Sequence, residues 1–395
     1  MADYLDERFR ALQAFMKQQN LAGILFLRPI RGGFDLWLTG KTAADPQTDF
    51  LSKAFLAIQS TPIVFSINTD KLIEEGEDDP LTTHATETLP KTGYYTDLVG
   101  YRGDFFKRML AENPRLGLVN PGGLLVKVHD FILKYAPQTE FVDVTRELLL
   151  RKARKSQEEI AVLRGDVRDL ERVMTAVGVN ARPGVTEREL AYAIRKNLLE
   201  RGASGWDYST HCLDVKITSS KDGGEKEAGP FVYPGCRLDL GDRVNLFVNA
   251  AMSRGYHVSI ARTCILGQAC AESKACWDLA VRAEDRAAEL LKPGVTIRQI
   301  VDAVNEDVIL PAGLPADTGN WIYGTGNDWA EYPMAVPGWD NVPLEAGMVL
   351  SVGPRIQPEH KEPYCCRDIY EVTQDGGRRL GTLDRELKEL FNTHF

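Results

Sequence analysis

The sequence predicts an α+β protein of two domains: a smaller α/β domain over residues 1–151 and a larger one over 152–395 built from two related halves. Three observations carry this expectation. The chain has 395 residues, and a length of this order divides into two cores more readily than it fills one. A densely charged stretch, RKARKSQEE at 151–159, is followed by an apolar stripe at Ile160, Leu163, Val167, Leu170, Met174 and Val177. That spacing of three and four marks one face of a long helix, which ends at Arg182-Pro183-Gly184. The third observation is an internal duplication. PGVTEREL at 183–190 is repeated as PGVTIRQI at 293–300, and LDLGDRVNLFV from Leu238 as LEAGMVLSVGP from Leu344. The two offsets, 110 positions (183 to 293) and 106 (238 to 344), agree closely enough to predict two α+β halves about a pseudo-twofold axis.

The elements follow in order. Leu5, Phe9, Leu12 and Met16 fall on one face of an N-terminal helix. Apolar runs at 23–27 (GILFL), 62–67 (PIVFSI) and 116–120 (LGLVN) suit buried strands, and IEEGEDDP at 73–80 is a polar, acidic loop. In the larger domain, Thr186 with Glu189 and Thr296 with Gln299 each have capping-box spacing, so each repeat opens a helix. Each of the Leu238 and Leu344 motifs is a glycine turn running into an apolar strand.

Composition narrows the partners. The net charge is −9, which argues against nucleic acid, since that binding needs a basic face to displace counterions. It argues equally against a partner held by a polybasic patch. The seven cysteines all follow residue 211 and none has zinc-ligand spacing. They read as free thiols in a reducing compartment. The first residues lack the basic and apolar regions of a signal peptide, and no apolar run approaches a membrane span. The expectation is a cytoplasmic protein with no membrane partner.

Four patterns, in order between residues 150 and 376, resemble the pita-bread superfamily of creatinase, prolidase, Xaa-Pro aminopeptidase and methionine aminopeptidase. RKARKSQEEIAVLR looks like the entry to its catalytic domain. RGYHVSIART at 254–263 resembles Gly-Tyr-x-x-Asp-Ile-x-Arg-Thr. LEAGMVLSVGP resembles Leu-x-x-Gly-Met-Val-x-x-x-Glu-Pro, and RDIYEVTQDG at 367–376 resembles Glu-Asp-x-x-x-Val-Thr-x-x-Gly. The resemblance implies a C-terminal pita-bread fold preceded by a creatinase-type α/β domain, and a homodimer.

Peptidases of that superfamily hold two divalent metals through two Asp, one His and two Glu. Carried over by the resemblance, those positions are Val248, Ser259, Tyr323, Gly353 and Arg367. None is a good divalent-metal ligand, and Arg367 adds a fixed positive charge. The expectation is no metal and no cofactor. The His used as general base by creatinase-type members falls at Pro230 or Phe231, and a second family His at Ala330.

What remains suggests a different chemistry. Strand alternation puts His257 on the face of Ser259, where it could carry protons or be a satisfied histidine beneath the pocket. Tyr323 could donate to a substrate oxygen or simply fill volume. Arg367 needs a carboxylate from Glu331 or Asp368, or an anionic ligand held bidentately. Cys365 and Cys366 precede it, and a thiolate beside a guanidinium would have a lowered pKa. WDYSTHC at 206–212 could line the entrance or be core. These residues suggest a metal-independent enzyme acting by acid–base chemistry on a small anionic molecule. His257 and Tyr323 would be catalytic, and Arg367, Glu331 and Ser259 would bind substrate. The alternatives are a non-catalytic homologue binding a ligand or protein partner, and the Xaa-Pro peptidase or creatinase-type hydrolase that the resemblance itself suggests.

Overall fold

The computed structural model describes residues 3–27, 34–39, 53–60, 64–68, 71–76, 95–98, 100–203, 213–222, 236–252, 255–358 and 361–391. Residues 77–80 of the acidic loop, the 206–212 segment, Pro230 and Phe231 lie outside this set, as does the side chain of Leu5. The chain divides into two compact units, Met1–Lys152 and Ala153–Phe395. Among the described residues no helix is long and apolar enough to cross a membrane.

In the first unit, helix α1 (Asp3–Gln18) buries Phe9, Leu12, Phe15 and Met16. The strands are β1 (Gly23–Phe26), β2 (Lys53–Ile58), β3 (Val64–Asn68), β4 (Leu72–Ile73), β5 (Tyr95–Leu98), β6 (Tyr101–Arg102), β7 (Arg115–Val119) and β8 (Glu140–Asp143). Six of them form a mixed sheet in the order β5-β3-β2-β1-β7-β8, and β4 pairs with β6. Strand β1 runs antiparallel to β2 and parallel to β7. It is buried along its whole length, as its unbroken apolar run requires.

The second unit consists of two halves with matching plans. The first half carries helices α2 (Gln157–Asn180) and α3 (Glu187–Glu200) on strands β9 (Leu213–Lys221), β10 (Asp242–Ala251) and β11 (His257–Leu266). The stripe from Ile160 to Val177 is buried there against the sheet. The second half carries helices α4 (Ala271–Glu289) and α5 (Ile297–Val304) on strands β12 (Ile322–Gly324), β13 (Glu331–Met334) and β14 (Val349–Val352). Strands β15 (Arg355–Ile356) and β16 (Tyr364–Cys365) pair as a small ribbon. They are followed by β17 (Asp368–Thr373), β18 (Gly376–Arg379) and β19 (Lys388–Leu390). The two sheets are ordered β19-β11-β10-β9 and β13-β12-β14-β17-β18.

The duplication is legible bond by bond. Both capping boxes are formed, at Thr186 with Glu189 and at Thr296 with Gln299. The Gly184 amide donates to the Leu238 carbonyl at 2.8 Å, and Gly294 to Leu344 at 2.9 Å. Thr186 bridges Arg237 as Thr296 bridges Pro343. The turn glycines Gly241 and Gly347 have φ of 83° and 84°, a region where a Cβ is strained. One further bridge, Ala261 with Arg367, links β11 to the start of β17 and so one sheet to the other.

Candidate functional site

Strand alternation decides which side chains meet in the cleft between the halves of the second unit. On β10 and β11, Val244, Leu246, Val248, Ala250, Val258 and Ile260 face the helices of the first half. The opposite face therefore carries Phe247 and Asn249 of β10 with His257 and Ser259 of β11. Asn249 pairs directly with Ser259, and Phe247 with Ala261. This corrects one position carried over by the resemblance. Val248 belongs to the helix-side core, and its cleft-facing neighbours are Phe247 and Asn249. One step along a strand moves a side chain to the other face.

In the second half, Leu350 and Val352 face the α4 side, whereas Ser351 faces the cleft and stands opposite Tyr323. Arg367 enters from the start of β17 and is 95% buried, with 5% exposed. Its Nη1 donates to Ser351 Oγ at 2.8 Å, and that oxygen lies 2.7 Å from Ser259 Oγ. The guanidinium carbon sits 5.0 Å from the Tyr323 ring centroid and 5.7 Å from that of Phe247. A side chain at Gly353 would place its Cβ 2.6 Å from that of Arg367, so the arginine occupies the space such a residue would need. Arg367 Nε is buried with no hydrogen-bond partner. Among the described residues no carboxylate forms an ion pair with it. Burial opposes its charge, but the neighbouring Tyr323 phenol and Cys365 thiol outweigh that and hold its pKa above the ordinary guanidinium value.

Both carboxylates considered as partners for Arg367 are committed elsewhere. Glu331 accepts from Lys155 Nζ at 2.9 Å in a pair buried on both sides. Asp368 takes Arg262 Nη2 on both oxygens at 3.0 Å. His257 is buried too. Its Nδ1 lies 3.3 Å from Asn249 Oδ1, its amide donates to the Gly326 carbonyl, and its carbonyl accepts from Thr325 Oγ1. The structure thus joins Ser259, Ser351, Arg367 and Tyr323 in one contact chain. It sets His257 beside Asn249 and gives Glu331 to Lys155. The 322–333 loop also presents Trp329, 40% exposed, edge-on to Tyr323 at 6.0 Å. Ser351 and Asn249 escaped the sequence reading, although alternation from Gly353 and Ser259 could have found them. Lys155 left no local signal, because its partner is distant in the chain.

The other face of β17 differs. Glu284 of α4, Cys366 and Asp368 have potential metal-ligating atoms within 4.8 Å of one another. Both carboxylates are already engaged, Asp368 with Arg262 and Glu284 with the Tyr370 hydroxyl and Arg385. Burial, reinforced by Asp368, pushes Glu284 up to about 7. Burial also raises both the Cys365 and Cys366 thiols. The expected lowering beside Arg367 is therefore reversed, because desolvation of a thiolate exceeds the arginine's attraction.

Two sheets carrying outer helices, with a cleft between related halves, define the pita-bread class. The model of metallopeptidase family M24 matches residues 167–380, and the chain belongs to that family. Among its relatives, the probable dipeptidase PepE of Mycobacterium tuberculosis is 31% identical over 245 residues, covering 60% of this chain. The match spans 62% of that relative's length, under two thirds of it. The Xaa-Pro dipeptidase of Lactobacillus helveticus is 28% identical over 273 residues, 67% of this chain and 70% of its own. Among solved structures, the X-Pro aminopeptidase of Thermotoga maritima aligns with a TM-score of 0.73 at 18% identity, covering 96% of this chain and 99% of its own. Dipeptidase PepE of Mycobacterium ulcerans aligns at 0.72 and 22% identity, covering 98% of each. These findings overturn the leading functional expectation. The relatives are named as dipeptidases and the family is one of metallopeptidases, so a metal-independent acid–base enzyme for a small anionic molecule is not the reading they support.

Proposed function

We propose that this chain is a peptide-binding member of family M24 that recognises its ligand without hydrolysing it. The carrying observation is Arg367, a buried guanidinium with no carboxylate partner among the described residues, standing where the resemblance expects a metal ligand. The cleft side chains around it do not fit a divalent metal pair. Ser259, Ser351 and Tyr323 offer neutral hydroxyls, Phe247 offers none, Asn249 one amide oxygen and His257 one imidazole, which is short of the ligand set for two cations, and Arg367 adds a fixed positive charge. The nearby carboxylate of Glu331 is neutralised by Lys155. The Glu284–Cys366–Asp368 group lies on the far face of β17 with its carboxylates already held by arginines. Peptide as the ligand class is supported by the dipeptidase names of the relatives and by the aromatic surface of Tyr323 and Trp329.

Hydrolysis of an Xaa-Pro dipeptide is the second reading, favoured by the relative from Lactobacillus helveticus named for it. One experiment separates the two. The purified chain is analysed for metals, then incubated with Ala-Pro, with and without added Mn, Co or Zn. The expected outcome is no stoichiometric metal, no proline released, and calorimetric binding of the intact dipeptide. Metal-dependent release of proline that a chelator abolishes would give the function to the second reading.

A further inference from the structure

We infer that Arg367 receives the C-terminal carboxylate of the bound peptide, and that the Tyr323–Trp329 edge receives the apolar side chain next to it. This rests on the peptide-binding reading and adds the ligand's polarity and chemistry. A buried guanidinium is costly unless its charge and donors are met. Here one Nη donates to Ser351, and Nε has no partner. Ser351 is a neutral acceptor shared with Ser259, and the Tyr323 and Phe247 rings face the guanidinium at 5.0 and 5.7 Å, so among the described residues no carboxylate meets its charge. Glu331 and Asp368 cannot supply the balance, since Lys155 and Arg262 hold them.

The charge selects the ligand group. A single carboxylate matches one guanidinium in charge and in the geometry of its fork, which takes two parallel N–H···O bonds. The Ser259 and Ser351 hydroxyls, 2.7 Å apart, can turn a donor toward the same oxygens. A dianionic phosphate would leave one charge unmet. A free ammonium would meet a like charge at depth, so the N-terminus of a bound peptide points away from Arg367. The buried Tyr323 ring lies 5.0 Å from the guanidinium, and beyond it the ring of Trp329, 40% exposed, offers aromatic surface. That distance suits the residue bearing the carboxylate, whose side chain lies within one residue's span, about 3.5 Å, of it.

The test compares N-acetyl-Ala-Pro, which keeps its carboxylate, with Ala-Pro-amide, which keeps only its ammonium, by titration calorimetry on the full chain. The expected result is binding of the first and at least about tenfold weaker binding of the second. Arg367→Lys, which keeps charge but loses the fork, is expected to weaken the acetylated peptide by about tenfold. Arg367→Gln is expected to abolish its binding. Equal affinity for the two peptides would overturn the carboxylate assignment and leave peptide binding standing. Binding of neither would overturn both. The comparison on the unmodified chain holds whether or not the variants fold.

Discussion

Arg262 and Arg367 are both buried and are joined through the Ala261–Arg367 bridge, yet they are equipped in opposite ways. Arg262 donates to both oxygens of Asp368, to the carbonyls of Ala261 and Arg367, and to that of Asp384. Arg367, facing the cleft, has one neutral hydroxyl acceptor and a buried Nε with no partner. A saturated guanidinium fixes where the C-terminal segment crosses the sheet. An under-satisfied one costs the free protein stability, and such a cost persists where a ligand offsets it.

The sharpest way to break this contrast is to remove each arginine in turn. Arg262→Met leaves the buried Asp368 carboxylate only the more distant Arg379, at 3.7 Å, and is expected to destabilise the chain by about 3–5 kcal/mol in urea unfolding. Arg367→Met leaves no carboxylate behind. It is expected to stabilise the free protein by about 1–3 kcal/mol, the desolvation cost of an unmet polar group. A large loss of stability in Arg367→Met would make that arginine structural and erase the difference.

Ser351→Ala asks what the one neutral acceptor contributes. It removes the hydrogen bond to the charged Arg367 donor and the one shared with Ser259, with an expected cost of at least about 1.5–3 kcal/mol in the same unfolding measurement. A cost near zero would mean that Arg367 finds another acceptor once the hydroxyl is gone.

On the far face of β17, burial and the neighbouring Asp368 move the titration of Glu284 upward. Its folded pKa of about 7 lies above the ordinary glutamate value of 4.5, so the folded state binds the extra proton between those limits. Stability is therefore expected to fall as pH rises from about 4.5 through about 7. Glu284→Gln should flatten that part of the profile in thermal unfolding followed against pH. An unchanged slope would place the titrating group elsewhere.

The sequence by itself determined the plan of the second unit. Gly184 and Gly294, the capping threonines Thr186 and Thr296, and the turns at Gly241 and Gly347 are local signals. Each fixes a backbone conformation within a few residues, so repeating them announces repeated halves. The stripe from Ile160 to Val177 was legible for the same reason, since its period belongs to the helix alone. Composition and motif also carried Arg367 and Ser259 to one neighbourhood. The face of each side chain was less secure, because one residue of register separates Val248 in the core from Phe247 and Asn249 in the cleft. Only the tertiary structure decided the pairings. Lys155 with Glu331, Arg262 with Asp368, and Ser259 with Ser351 are contacts between residues far apart in the chain. Their charges and hydroxyls could each have been matched in several ways. Folding brought each pair together and left Arg367 without a carboxylate, because electrostatic partners are chosen by distance in space, which no local pattern encodes.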